Sequence, residues 1–114
     1  MLLRRRLALG LTLVALAPAC GRTPVEQAAV RAQDACIAAL EPVSEDRPPS
    51  PADLRSALTD AEAAARVDQR WAPLRERVRE LMASAGGEGG PRVDALVQEC
   101  DRVNQIVKEE RDDV

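Results

Sequence analysis

Prolines and one glycine run cut this chain into four stretches, and within each the apolar residues recur at steps of three and four. That spacing belongs to helices with one buried face; no segment alternates apolar and polar residues long enough to specify a strand. In the first stretch the stripe is Val25, Ala29, Ala32, Cys36, Leu40 and Val43. Thr23 is its N-cap, Pro24 fills the first helical position, and Glu26 stands where a capping box requires it. Pro42 is expected to stop this helix, giving about 24–41, and the polar, Pro-rich run 44–50 reads as a turn. A second start follows at Ser50, Pro51 and Asp53, with Leu54, Ala57, Leu58, Ala61 and Ala65 inward and a helix predicted over about 51–70. The third stripe is Val67, Trp71, Leu74, Val78, Leu81 and Ala85, with Pro73 inside it and a helix predicted over about 73–85. Gly86-Gly87-Glu88-Gly89-Gly90 reads as a flexible break. The last helix, about 91–110, begins at Pro91 and carries Val93, Leu96, Val97, Cys100, Val103 and Val107 on one face. Its acidic end, residues 109–114, is expected to fray.

The extreme N-terminus has a different character. Arg4, Arg5 and Arg6 precede an apolar segment, Leu7 to Ala17, followed by Ala17-Pro18-Ala19-Cys20. A positive start, an apolar middle and small residues before a cleavage point make a secretory signal over residues 1–19. The apolar segment is shorter than the ~20 residues that span a bilayer. Cys20, placed directly after the small residues, resembles the lipobox cysteine of bacterial lipoproteins, although Ala17 stands where that family prefers Leu. The resemblance covers residues 1–20. It implies that the Cys20 thiol carries diacylglycerol, that residues 20–23 form a lipidated terminus and short tether, and that the protein is extracytoplasmic, anchored to the bacterial cell membrane. The alternative is an ordinary cleavage after Ala17-x-Ala19, which releases a secreted protein without lipid.

If Cys20 carries lipid, Cys36 and Cys100 remain as an even pair in an oxidising compartment. Their pairing bears on whether Pro51 to Ala85 is one helix or two. A helix-interior Pro costs ~3 kcal/mol or more. A continuous helix of that length would extend ~52 Å and leave the two cysteines ~30 Å apart in height. Reversal near Trp71 to Pro73 instead brings them to one level. The expectation is therefore an all-α fold, a small up-down four-helix bundle occupying residues 24–112 and stapled by a Cys36–Cys100 disulfide. The alternative is three helices with a kink at Pro73.

Composition limits the chemistry. The 114 residues include no His, Phe or Tyr. That removes His-based nucleophile systems, His-ligated metals and the usual stacking platforms for bases. Loss of the signal takes three arginines, so 16 basic residues become 13 against 19 acidic, a net charge of −6. Such a module is a poor match for nucleic acid. The acidic end, with Glu109, Glu110, Asp112 and Asp113, lacks the spacing of a calcium loop, and the glycine run lacks the Lys-Ser/Thr of a phosphate cradle. Neither metal nor cofactor is expected, and nothing places two carboxylates on an apolar stripe.

Three residues are candidates for contact with a partner: Trp71, Arg70 and Arg75. Trp71 has a competing role as a plug over the bundle end, in phase with Val67 and Leu74. The arginines of the third helix can pair within the helix, Arg79 with Glu76 and Arg77 with Glu80. The function expected is a membrane-anchored, non-enzymatic interaction module whose partner is another cell-envelope protein. The alternative is a carrier of a small apolar or lipidic ligand held in the bundle.

Overall fold

The computed structural model describes residues 22–84 and 90–112. The signal 1–19, Cys20, Gly21, Ala85 of the third stripe, the glycine-run residues 86–89 and the acidic end at Asp113 and Val114 lie outside the described residues. The described chain forms four α-helices: α1 (Pro24–Ser44), α2 (Pro51–Val67), α3 (Ala72–Ala83) and α4 (Gly90–Asp112), with a 3₁₀ turn at Gln69–Trp71 before α3.

Both expected capping boxes form. The Thr23 hydroxyl accepts from the Glu26 amide at 3.1 Å while the Thr23 amide donates to the Glu26 carboxylate at 2.9 Å. Ser50 and Asp53 repeat the arrangement at 3.1 and 2.9 Å. Each box satisfies amides that a helix start otherwise leaves unpaired.

Pro42 does not stop α1, which continues to Ser44 with Pro42 buried inside it. The reason lies in the hydrogen bonds that follow. The Arg47 amide donates to the Pro42 carbonyl at 2.9 Å and the Asp46 amide donates to the Val43 carbonyl at 3.0 Å. Asp46 sits at φ 60°, the left-handed position of a Schellman termination. This closure needs the carbonyl of Pro42, which proline retains, and not its missing N–H.

The chain reverses between α2 and α3 at Asp68, three residues earlier than the apolar stripe suggested. Asp68 is extended (φ −143°, ψ 115°), and its carboxylate accepts from the Arg70 amide at 3.0 Å, starting the 3₁₀ turn. Pro73 is then not a kink. It occupies the first turn of α3, where its fixed φ suits helix initiation. Val67 belongs to the end of α2 and is 51% exposed, outside the stripe that Trp71, Leu74, Val78 and Leu81 form inward.

Pairs far apart in sequence fix the antiparallel order. Arg31 on α1 meets Asp60 on α2 at 2.8 Å, and Arg79 on α3 meets Glu62 on α2 at 3.0 Å. Arg70, at the α2–α3 turn, reaches Glu110 near the end of α4 at 2.6 Å. Cys36 and Cys100 are bonded, with their Cα atoms 5.7 Å apart. Cys36 lies twelve residues after Pro24 and Cys100 twelve before Asp112, so each sits ~18 Å of helix rise from the same end of the bundle. The result is the up-down-up-down bundle with its disulfide between first and last helices.

Its core has two characters. The most extensive packing is between α1 and α2. Their buried residues are chiefly alanines: Ala28, Ala32, Ala35 and Ala39 on α1, and Ala57, Ala61 and Ala64 on α2. The expected stripe of α1 is rotated accordingly, with Val25 46% exposed and Leu40 and Val43 only half-buried. Small side chains let two helices approach at the short end of the ~8–10 Å range, and the larger residues move to the flanks. The α3–α4 side is filled by Trp71, Leu74, Val78, Leu81, Leu96 and Val103, all buried.

Candidate functional site

The start of α1, the α2–α3 turn and the end of α4 share one end of the bundle, called the foot below. Arg70 organises it. Its guanidinium donates to the Asp68 carboxylate at 2.9 Å and to the Glu110 carboxylate at 2.6 Å, and lies 5.2 Å from the centre of the Trp71 ring. Arg102 on α4 donates to the Arg70 carbonyl at 2.7 Å and pairs with Glu99 one turn earlier. The Arg70 guanidinium beside it holds the Asp68 carboxyl below the usual carboxylate range, and Asp68 and Glu110 raise Arg70 further above its ordinary value.

Trp71 is fully enclosed, as the plug role requires, so its indole presents no surface to a partner. Its Nε1–H has no acceptor among the described residues. The cost of that orphan donor, about 1–3 kcal/mol, is smaller than the gain from burying the ring, about 4–6 kcal/mol for 150–250 Å² at 25 cal/mol per Å². Burial wins, and the Arg70 guanidinium lies over the ring.

Arg75 does not join Arg70. It is half-buried and donates to its neighbour Glu76 at 3.0 Å. The expected Arg79–Glu76 and Arg77–Glu80 pairs both form, at 3.1 and 2.9 Å. The arginines of α3 are thus spent on carboxylates of α2 and α3 and make no cationic patch.

Two clefts of about 570 Å³ each lie at opposite ends. One, at the far end, is lined by Val43, Arg47, Pro49, Leu54, Leu81 and Val93 among others. The second is a groove at the foot between the start of α1 and the end of α4. Val25, Ala29, Val30 and Val107 form its apolar floor, and Arg22, Glu26, Gln33, Glu110 and Arg111 supply its polar rim. Sequence patterning gives no hint of this groove, because its two walls are separated by nearly the whole chain. Glu110 is also reassigned: it is not part of a frayed tail but the partner of Arg70 on a helix that runs to Asp112.

Among the described residues no polar or charged side chain is buried, and no group of His, Cys, Asp and Glu is placed to hold a metal ion. The carboxylates whose pKa moves, Glu26, Asp53 and Asp68, all move down, held by their capping or arginine hydrogen bonds. No described helix is long and apolar enough to cross a membrane. No protein-family model, curated protein or solved structure matches this chain.

Proposed function

We propose that the protein is a lipoprotein of the bacterial cell envelope, held at the membrane by diacylglycerol on Cys20 and acting by non-enzymatic contact with another envelope protein. The observation that carries this is the order of residues 1–20, a basic start, an apolar middle and Ala17-Pro18-Ala19-Cys20. The capped start of α1 at Thr23 and Pro24 supports it, since only Gly21 and Arg22 separate Cys20 from folded structure. A tether that short holds the foot of the bundle against the bilayer and turns the far end, with its Asp46 turn and Pro48-Pro49, toward soluble neighbours. Arg70 and Arg75 remain candidate contacts through their partly exposed guanidinium groups.

The test is mass spectrometry of the mature protein from its native membrane. A diacylglyceryl mass on an N-terminal Cys20 is expected. A mature N-terminus at unmodified Cys20 would overturn the anchor and leave the secreted form.

A second possibility, a carrier for a small apolar or lipidic ligand, is favoured by the foot groove. Its volume of about 570 Å³ falls in the ~300–1,000 Å³ range of ligand sites. Both clefts lie at bundle ends, while Ala32, Ala35, Ala57, Ala61 and Ala64 close the α1–α2 seam. A ligand in either cleft would therefore sit at a bundle end and not in the alanine seam.

A further inference from the structure

The foot groove combines three properties. Its floor is apolar, Val25, Ala29 and Val30 from α1 and Val107 from α4. Its two carboxylates are already engaged, Glu26 by the Thr23 amide at 2.9 Å and Glu110 by Arg70 at 2.6 Å. Its two guanidinium groups, on Arg22 and Arg111, are exposed and enter no ion pair among the described residues. The charged groups left unpaired at the rim among the described residues are therefore cationic, although the mature module as a whole is acidic. The far cleft lacks this pattern, because its Arg47 is paired with Glu45.

The foot also exposes apolar surface outside the groove. The Arg31–Asp60 pair sets an antiparallel register that brings Val25 on α1 level with Val67 on α2, and these are 46% and 51% exposed. Two of the four large apolar residues exposed among those described thus lie at this end of the bundle. An apolar floor with free guanidinium groups at its rim is complementary to an amphiphile whose acyl chain meets a phosphate.

We propose that the foot groove holds one phospholipid of the membrane to which the protein is attached, with an acyl chain along Val25, Ala29, Val30 and Val107 and the phosphate between Arg22 and Arg111. The inference rests on the anchoring of Cys20, which places this groove at the level of the headgroups. It differs from attraction to a charged surface, which a module of net charge −6 does not provide. Lipid occupancy here would fix how the bundle stands on the bilayer, where a lipid anchor alone leaves it free to swivel.

The test uses the full mature protein in phosphatidylcholine nanodiscs doped with a phosphatidylglycerol that bears a photoactivatable acyl chain. Crosslinked peptides and the Cys20 peptide are read in one mass-spectrometric experiment. Expected are crosslinks on the peptides containing Val25–Val30 and Val107 at five-fold or more the level on peptides of the far cleft. A double variant, Arg22→Glu with Arg111→Glu, should reduce them at least five-fold with unchanged helix content. Photoactivatable phosphatidylcholine at equal dose should label the same peptides, since its phosphate is the shared group. Even labelling of both ends, or labelling indifferent to the double variant, would overturn the proposal. If Cys20 proves unmodified, the same photolipid is presented in vesicles to the released protein. Foot labelling there sustains the groove after the anchor has failed, and its absence overturns both.

Discussion

Removing the Cys36–Cys100 bond should destabilise the bundle about as much as truncating its largest buried side chain. The bond closes a separation of 64 residues, for which the chain-entropy relation gives about 4 kcal/mol. Native strain should subtract little, because a Cα separation of 5.7 Å is in the middle of the usual range and both residues are at the same height in the bundle. The figure is large against the ~5–15 kcal/mol that such domains possess. It is larger still in proportion here: of the eighteen apolar residues buried among those described, nine are alanines, which contribute little area each. For a domain of this size, 1 kcal/mol moves the melting temperature by roughly 4–8 °C, so the double variant Cys36→Ala with Cys100→Ala should melt about 15–30 °C lower. Alanine is preferred to serine because Cys36 and Cys100 are 6% and 3% exposed, and a hydroxyl there would be buried without a partner. Helical circular dichroism through thermal and urea melts reads the change. The urea slope should also steepen, since an unlinked chain exposes more surface when it unfolds. A melting temperature within ~3 °C of the parent would refute the reasoning, showing that the helices hold together without the staple.

Three other outcomes follow from particular contacts. Asp68→Asn should cost about 1 kcal/mol at neutral pH, a figure kept small by the partial exposure of Arg70. Because the Asp68 pKa is depressed in the folded state, its contribution is present above the unfolded value near ~3.9 and is lost as pH falls through the folded one. Melts between about pH 5 and 2 should therefore show a shallower acid loss in the variant, and an unchanged acid limb would count against the Arg70 pairing. Ala61→Leu overfills a fully closed position and should destabilise by about 1–3 kcal/mol in urea, where a neutral result would mean that the α1–α2 seam has slack. Trp71→Ala should cost about 3–5 kcal/mol, but Trp71→Phe markedly less, because Phe keeps most of the buried ring and gives up only an N–H that has no acceptor; a Phe loss as large as the Ala loss would count against an unpaired indole N–H.

What the sequence discloses is mostly local. Thr23-Pro24 with Glu26 and Ser50-Pro51 with Asp53 announce two helix starts because a capping box needs only four consecutive residues. The end of α1 is missed for a related reason. Proline signals a stop through the donor it lacks, whereas the termination uses the Pro42 carbonyl and depends on Asp46 adopting a left-handed backbone. The reversal at Asp68 is obscured because Val67, Trp71 and Leu74 stay in phase across it. Within α1, the buried face follows Ala28, Ala35 and Ala39 and not Val25, because close approach selects small volume and hydrophobicity scales rank size. The Arg70–Glu110 pair and the foot groove join residues 40 or more apart and have no local signature. Cys36 with Cys100 is the long-range exception, legible because helix rise counted from Pro24 and from Pro91 brings the two cysteines to one level once the chain reverses before α3.

The alanine seam between α1 and α2 has a bearing on how this chain can change over generations. An alanine codon is one base from codons for valine, threonine, proline, serine, glycine, aspartate and glutamate. At Ala32, Ala35, Ala57, Ala61 and Ala64, each fully enclosed, only glycine and serine avoid adding bulk or charge, and glycine weakens the helix by about 1 kcal/mol. Nearly every single mutation at these five positions is therefore deleterious. At Leu74, Val78, Leu96 and Val103, by contrast, aliphatic neighbours can exchange at modest cost. Drift should be concentrated in α3 and α4, leaving a conserved record of smallness, not of greasiness, in the first half of the domain.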